Sequence, residues 1–308
     1  MSIVVLGAVF VDVKGYPNDT YIPGGRNSGR VEQVHGGVSR NIAEDVANIG
    51  LPSRFLSLVD DTAAGIEVIE RLKKHGVDTS YMLRTKDGMG TWLAIFDNTG
   101  DVIAAISKRP DLLPLAGLLD EKGEEIFRDV ESALLEIDLD AETTSRVMDY
   151  AEKNRFPVYA AVSNMTIARE RGALLRKCDC LVCNLQEAGL LFKKNYDGYT
   201  PEKLICLLSE AVRGFGLQRM VVTLAEKGAV YVDRDGKCGH CPAESVSVVD
   251  TTGAGDAFFA GFAAGMTRGK TMAESCRIGT RLAAAVICST ENVCPVYGPE
   301  EFGLQEGI

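Results

Sequence analysis

The chain has 308 residues, of which 46% are hydrophobic and 25% are charged, a composition that argues against a disordered or fibrous protein. Its formal net charge of −10 argues against a surface for nucleic-acid polymers, because neutralising their phosphates requires clustered Lys and Arg. No apolar run approaches the roughly 20 residues that a membrane-spanning helix needs, and the N-terminal residues lack the features of a signal peptide. We therefore expect a cytoplasmic protein that does not bind a membrane.

Short apolar runs alternate with amphipathic stretches along most of the chain. Residues 3–12 form a nearly continuous apolar run, which predicts a central parallel strand, and residues 39–50 place apolar side chains at helical spacing before a terminal glycine. A strand is predicted at 54–59 and a helix at about 63–75. Further strands are predicted near 133–137, 158–161, 180–183, 220–224 and 229–232, and the last two helices near 253–267 and 272–289. This alternation predicts an α/β fold in which helices connect parallel strands.

Two segments break the alternation. Residues 13–35 contain Pro17, Pro23 and a Gly-Gly pair, and then alternate between apolar and polar side chains. Residues 91–106 read as two strands joined by Asp-Asn-Thr-Gly-Asp, a sequence that suits a turn. We expect strands from these segments, at about 13–35 and 88–108, to form a small sheet that covers one end of the main domain as a lid.

The sequence contains nine cysteines, an odd number that suits a reducing compartment better than a disulfide framework. Cys178, Cys180 and Cys183 form one cluster, and two more cysteines flank His240, which raises the question of a zinc site. However, neighbouring side chains of a strand point to opposite faces and cannot converge on one ion. We therefore favour small apolar side chains that fill the core, and a turn at the second cluster, over a metal site.

Residues 248–265, VVDTTGAGDAFFAGFAAG, are the most informative segment. A strand end leads into a turn formed by Gly253, Ala254 and Gly255, and an apolar helix follows. The start of a helix presents unpaired N–H groups that suit an anion, and glycines let it approach closely. A carboxylate at Asp256 can accept the proton of an attacking hydroxyl while these amides stabilise a transferring phosphoryl group. The alternative is that Asp256 only favours the helix dipole and that the turn binds nothing.

The same segment resembles the C-terminal signature of the PfkB, or ribokinase-like, family of carbohydrate kinases. Three further stretches are similar to family motifs and occur in family order: HGGVSRNIAEDVANIG at 35–50, NLQE at 184–187 and VVTLAEKGAVY at 221–231. The resemblance implies one ribokinase-like, three-layer α/β/α domain over residues 1–308, with a central mostly parallel sheet and the small β-sheet lid. It also implies an ATP-dependent phosphotransferase that uses Mg²⁺ and acts on a small sugar or nucleoside.

The resemblance assigns roles to matched positions on the acceptor side. Asp256 would be the general base, and the backbone of residues 253–255 would form the anion hole. The positions that would hold the hydroxyl groups of the substrate are Asp12, Gly36, Gly37 and Asn41.

Other matched positions belong to the nucleotide and to cations. Asn184, Glu187, Thr223 and Gly228 would bind ATP, with Glu187 holding Mg²⁺ through water, and Asn292 would lie near the adenine. Without the resemblance, Glu187 would read as an ordinary carboxylate at a helix start. Asp250 and Thr252 match positions that bind a monovalent cation such as K⁺ in several relatives, although both residues also suit a simple turn at a strand end.

Within the family, residues 11–16, 36–50 and 96–101 are most similar to pseudouridine kinases. Arg40 is part of this similarity, since Ala is more usual there, although a solvated helix residue is the alternative. The reaction implied is the transfer of phosphate from ATP to pseudouridine, giving pseudouridine 5′-phosphate. Ribokinase, fructokinase-like and other nucleoside kinases are the alternatives. Four residues are candidates to contact the base: Val9, Lys14, Trp92 and Asp138.

Two further expectations concern the class of function and the oligomeric state. A non-catalytic sensor of sugars or nucleotides on the same fold is a second class of function, although a sensor has no need of a base such as Asp256. The strands of the lid have free edges, which can pair with another chain, so we expect a homodimer formed through the lid.

Overall fold

The computed structural model describes residues 1–98, 102–137, 139–162 and 164–305. The strands are β1 (Ser2–Leu6), β2 (Phe10–Pro17), β3 (Gly29–Gly36), β4 (Ser53–Leu56), β5 (Leu58–Val59), β6 (Leu83–Arg84), β7 (Gly90–Phe96), β8 (Val102–Lys108), β9 (Val130–Glu136), β10 (Val158–Ala161), β11 (Cys180–Asn184), β12 (Arg219–Thr223), β13 (Ala229–Asp233) and β14 (Cys238–Cys241). The α-helices are α1 (Val38–Asn48), α2 (Ala63–Lys74), α3 (Pro114–Ile126), α4 (Ala141–Asn154), α5 (Met165–Glu170), α6 (Gly172–Leu175), α7 (Leu185–Phe192), α8 (Pro201–Phe215), α9 (Ala254–Thr267) and α10 (Met272–Ile287).

Eight strands form the main sheet, in the order β14-β13-β12-β11-β10-β9-β1-β4. The strands from β12 to β4 pair in parallel, and β13 and β14 add an antiparallel edge. Helices α1, α2, α9 and α10 cover one face, and α3 to α8 cover the other. Because both faces are covered, the strands are apolar along nearly their whole length, which is why short apolar runs located them in the sequence. The predicted three-layer α/β/α fold with a mostly parallel sheet is confirmed.

The predicted single strand over 3–12 is wrong. The run divides into β1, in the interior of the main sheet, and β2, in a separate sheet. The chain leaves the main sheet at Gly7, where a Cβ atom would lie 1.9 Å from the hydroxyl oxygen of Ser39 on α1. The run over 54–59 divides in the same way, because β4 joins the main sheet and β5 pairs with β6.

A second sheet of four strands, in the order β3-β2-β7-β8, takes its strands from the two interrupting segments. We call it the lid sheet. Its inner face carries Asp12 and Trp92, which are paired in register, and Tyr16 stacks on Phe96 with ring centroids 4.8 Å apart. Its outer face is apolar and unusually open: the exposed fractions are 72% for Val31, 42% for Leu93 and 71% for Ile106.

The cysteines are free thiols, and Cys178, Cys180 and Cys183 are buried. Cys180 packs on one face of the main sheet and Cys183 on the other, as expected of a strand that fills the core. The predicted turn at the second cluster is wrong, since this segment forms β14 at the sheet edge. Within the four described ranges, no group of three or more His, Cys, Asp or Glu side chains is arranged to hold a metal ion. The helices of these ranges are also too short or too polar to cross a bilayer.

Candidate active site

Helices α1 and α9 start beside each other and bring two predicted site residues into contact. Asn41, in the first turn of α1, donates a hydrogen bond from Nδ2 to Oδ2 of Asp256 over 2.6 Å. Gly37 caps α1 with a φ of 104°, and a Cβ atom there would lie 2.6 Å from the carbonyl oxygen of Ala8. Only glycine meets both conditions without strain, so Gly37 fixes where α1 begins and therefore where Asn41 points.

Asp12 reaches the same place from β2. A Cβ atom on Gly36 would lie 2.5 Å from Oδ2 of Asp12, so the carboxylate of Asp12 lies directly over the Gly36 backbone. Burial raises the pKa of Asp12, and the charges of Lys14 and Arg40 oppose that rise. The four positions predicted to hold substrate hydroxyls therefore lie together: Asp12, Gly36, Gly37 and Asn41.

The pKa of Asp256 is raised to about 7. Burial of the carboxyl group is the main cause, and the negative charges of Asp12 and Glu187 add to it. The hydrogen bond from Asn41 and the positive charge of Arg40 act in the opposite direction. A carboxyl group with this pKa is still ionised in part near neutral pH and is a stronger base than an ordinary aspartate, as a proton acceptor requires.

The turn before α9 has a backbone that only glycine fits at one position and free space at another. Gly253 has a φ of 82°, and a Cβ atom there would lie 2.1 Å from the carbonyl oxygen of Asn292, so this position also requires glycine. At Gly255 an added Cβ atom would meet no atom within 4 Å, and this free space lies at the first turn of α9. The first N–H groups of a helix have no intrahelical acceptor, so the turn can present them to a phosphate.

A cavity of about 910 Å³ runs from this turn along the carboxyl ends of β11 and β12. Asn184, Thr223, Gly228, Ala254 and Gly255 are among its lining residues, as expected for five positions assigned to the nucleotide side or the anion hole. The cavity also has an apolar wall that the sequence did not reveal, formed by Val246, Phe258, Ala283 and Ile287. These side chains read as ordinary core or loop residues, and no local pattern marks them as ligand contacts.

Asn184 and Glu187 form a reciprocal capping box at the start of α7. Glu187 N–H donates to Oδ1 of Asn184 over 2.8 Å, and Asn184 N–H donates to Oε2 of Glu187 over 2.8 Å. Glu187 is therefore a carboxylate at a helix start, which was the alternative reading of this residue. The negative charge of this carboxylate also raises the pKa of Asp256. One carboxylate beside a phosphate cavity fits Mg²⁺, which usually binds one or two carboxylates and otherwise phosphates and water.

Three assigned positions have partners within the protein. The side chain of Asn292 is 7% exposed and bonds to His35 and Arg40, and its place near the adenine stays a prediction. Thr252 N–H donates to Oδ1 of Asp250 over 2.8 Å, which is the turn expected at a strand end. This turn leaves the assignment of Asp250 and Thr252 to a monovalent cation as a prediction.

The four candidates for contacts with the base lie in different places. Lys14 and Trp92 lie on the inner face of the lid sheet, on the same side as Asp12. Val9 is fully buried in the core below α1, so it cannot contact a ligand. Asp138 lies outside the described residues.

Arg40 is the residue whose environment the sequence predicted least well. Its side chain is 1% exposed, which rules out the solvated helix position, and Nη1 donates to Oε2 of Glu44 over 3.0 Å. The sequence offered one signal, since Glu44 follows Arg40 at the spacing of an i, i+4 ion pair.

Known proteins resemble this chain over most of its length. The family described as "pfkB family carbohydrate kinase" matches residues 1–294. Guanosine-inosine kinase from Exiguobacterium acetylicum is 33% identical over 293 residues, which cover 94% of this chain and 96% of that protein. Pseudouridine kinase from Escherichia coli (strain K12) is 27% identical over 278 residues, covering 89% of this chain and 87% of that protein. Among solved structures, Arabidopsis thaliana ribokinase complexed with ribose and ATP has a TM-score of 0.84 at 22% identity and covers 98% of both chains.

Proposed function

The chain belongs to the pfkB family of carbohydrate kinases, and on that premise we propose that it transfers the γ-phosphoryl group of ATP to the 5′-hydroxyl of a ribonucleoside. The observation that carries the proposal is the position of Asp256. Its carboxyl group, with a pKa of about 7, adjoins the glycine turn at the mouth of the 910 Å³ cavity and faces Asp12 and Asn41.

The chemistry follows from this arrangement. Asp12, Asn41 and the backbone at Gly36 and Gly37 hold the ribose hydroxyls and direct the 5′-hydroxyl at Asp256. Asp256 takes the proton of this hydroxyl as its oxygen attacks the γ-phosphorus, and ADP leaves along the cavity. The amides of residues 253–255 stabilise the charge that builds up on the phosphoryl oxygens.

The nucleotide occupies the cavity under this proposal, with Thr223 and Gly228 along it and the apolar wall against the adenine. Mg²⁺ would be held by the phosphates and, through water, by Glu187, and it would neutralise charge on the phosphates. Asp250 and Thr252 remain the candidates for a monovalent cation.

A nucleoside fits the lid sheet better than a free sugar does. The inner face carries three aromatic rings, Tyr16, Trp92 and Phe96, and aromatic faces suit the stacking of a flat base. The similarity to guanosine-inosine kinase spans 94% of the chain, and we therefore place guanosine and inosine first. Pseudouridine, expected from the sequence, is the second candidate and is supported by the 27% identity to pseudouridine kinase.

The test is ADP release by the purified protein with Mg²⁺-ATP and a panel of acceptors: guanosine, inosine, adenosine, pseudouridine, uridine, ribose and fructose. We expect kcat/KM to be highest for guanosine or inosine, and the product to be the 5′-phosphate by mass spectrometry and NMR. Turnover of ribose or fructose above that of every nucleoside would contradict the nucleoside proposal. Binding without turnover of any acceptor would favour the sensor.

The pH dependence of turnover provides a further prediction. Because Asp256 must be ionised to accept a proton and its pKa is about 7, kcat/KM is expected to fall about tenfold per unit as the pH drops below about 7. Replacing Asn41 by Leu removes the hydrogen bond that lowers this pKa, so the acid limb should move to higher pH. A profile that stays flat down to about pH 5 would contradict the assignment of this base.

We also propose that two copies associate through the outer face of the lid sheet. Val31, Leu93 and Ile106 are exposed there on three of the four strands, and β3 and β8 form the two edges of the sheet. Light scattering is expected to give twice the mass of the chain, and Ile106→Lys to give a monomer. Glu70→Lys, on the exposed side of α2, is the control that should stay dimeric. A wild-type monomer at micromolar concentration would contradict the proposal.

A further inference from the structure

Helix α1 buries a strongly polar face. The exposed fractions are 1% for Arg40, 0% for Glu44, 0% for Asp45 and 1% for Asn48. Charged side chains are rarely buried to this extent unless they are paired, because removing them from water is costly. Residues 291–297, which follow α10 and which we call the closing loop, supply several of their partners.

Five side chains form a closed circuit of polar contacts that begins and ends at adjacent residues of the closing loop. Arg40 donates to Oδ1 of Asn292 over 3.3 Å and to Oε2 of Glu44 over 3.0 Å. Arg71 lies 2.9 Å from Oε1 of Glu44 and 3.0 Å from Oε2 of Glu291. Two positive and two negative side chains take part, so the formal charges of the circuit balance.

The circuit touches the candidate active site at two points. Arg40 directly precedes Asn41, which bonds to Asp256. Asn292 accepts from Arg40 with its side chain. Its backbone carbonyl oxygen would lie 2.1 Å from a Cβ atom added at Gly253. The guanidinium group of Arg40 therefore lies between the residue that orients the base and the residue that supports the anion turn.

The same guanidinium also reaches the lid sheet. Arg40 Nη2 donates to the carbonyl oxygen of His35, and Asn292 Nδ2 donates to the same oxygen over 2.9 Å. His35 lies at the end of β3, directly before Gly36 and Gly37. Three separate parts of the site, the lid strand, helix α1 and the Gly253 turn, thus meet at Arg40 and Asn292.

The rest of the closing loop is hydrogen-bonded to α1. Cys294 N–H donates to Oδ1 of Asp45 over 2.7 Å, and Asn48 Nδ2 donates to the carbonyl oxygen of Cys294 over 2.7 Å. Tyr297 N–H donates to the carbonyl oxygen of Asn48 over 2.6 Å. The loop is therefore fixed to the helix that carries Asn41, and the contact of Arg40 with Asn292 is the link closest to the Gly253 turn.

We propose that Arg40 is a positioning residue for phosphoryl transfer, which holds the Gly253 turn in place relative to Asn41 on helix α1 through Asn292. This inference rests on the proposed function, because it assigns Arg40 to the same site. Arg40 touches neither the acceptor nor the phosphoryl group in this role. Its loss leaves the acceptor and the nucleotide able to bind and misplaces the anion hole, which acts only in the transition state.

A purely structural role makes a different prediction. Buried ion pairs are often dispensable when a well-packed apolar side chain takes their place, and in that case only stability changes. Arg40→Met removes the guanidinium while keeping most of the side-chain volume, and Glu44 keeps Arg71. Arg268 provides a matched control, since it forms another largely buried ion pair, with Glu131 over 2.5 Å, at the far end of α9.

The experiment compares wild type, Arg40→Met, Arg40→Lys and Arg268→Met with the acceptor that wild type uses best. For Arg40→Met we expect kcat to fall about 100-fold while both KM values stay within about threefold, which is the signature of an interaction made only in the transition state. The acid limb of kcat should also move to higher pH, because the positive charge of Arg40 then no longer opposes the effect of Asp12 and Glu187 on the pKa of Asp256. Arg40→Lys should restore this limb but not the full kcat. Arg268→Met should keep the wild-type kcat.

Hydrogen exchange gives a readout that does not depend on turnover. In Arg40→Met the peptides that cover residues 251–257 should exchange faster, and in Arg268→Met they should not. If Arg40→Met does not fold, Asn292→Ala removes the same link and should show both effects. Unchanged kcat and unchanged exchange in the folded variant would overturn the inference. If wild type phosphorylates none of the acceptors, the proposed function fails, and the exchange data still decide whether Arg40 positions the turn.

Discussion

Replacing Asp256 by Asn is expected to lower kcat about 10³-fold, in the middle of the range for removal of a general base. The amide keeps the shape of the side chain and can still accept the hydrogen bond from Asn41, but it cannot take a proton. KM for the acceptor and for ATP should change little, because both still meet the same surfaces. Steady-state kinetics and calorimetric titration of the variant with each ligand check this.

The same variant should gain stability, and the sign follows from the pKa. The folded-state pKa of Asp256 is raised to about 7 from a usual value of 3.8, so the folded protein loses stability as the pH rises through this interval. Asp256→Asn removes this cost, so its Tm should exceed that of wild type by more at pH 8 than at pH 5. Asp149→Asn, on the exposed side of α4, should change neither kcat nor Tm. A folded Asp256→Asn variant with wild-type turnover would disprove the role of the base.

Replacing Gly253 by Ala is the second change with a large expected effect. The methyl group would lie 2.1 Å from the carbonyl oxygen of Asn292, at a φ of 82° that side-chain-bearing residues avoid. The turn must move, and its amides then no longer meet the phosphoryl oxygens. We expect kcat to fall about 10²-fold, as for the loss of one oxyanion-hole donor.

Gly269→Ala separates the two causes. Gly269 also has a positive φ, of 72°, but an added Cβ atom there meets nothing within 4 Å. This control should lose some stability, as expected of backbone strain alone, and should keep the wild-type kcat. If Gly253→Ala is no less active than Gly269→Ala, the turn does not act as the anion hole.

Local patterns predicted the elements that depend on local forces. Strand β10 was predicted with its observed bounds, and α9 within one residue, because an apolar run and a glycine turn mark such boundaries directly. The cluster of Asp12, Asn41 and Asp256 followed from the family resemblance, and the structure brings these three side chains together.

Other features depend on parts of the chain that are far apart. Asn292 meets Arg40 across 252 residues, so nothing near either residue shows that the arginine is buried or that the asparagine bonds to it. Residues 3–12 divide into two strands at Gly7, where Ser39 and Glu136, both distant in the sequence, leave no room for a side chain. The apolar wall of the cavity combines a loop residue, Val246, with the side of α10 that carries Ala283, and only the fold brings them together.

The position of β1 in the interior of the main sheet affects the order in which the chain folds during synthesis. Strand β1 pairs with β4 and with β9, so a half-sheet can assemble on the ribosome once about the first half of the chain has emerged. The closing loop, which bonds to the polar face of α1, and helix α9, which carries Asp256, are synthesised much later. An incomplete chain that ends before α9 therefore holds Asn41 without Asp256, and the candidate site is assembled only when the last helices are in place.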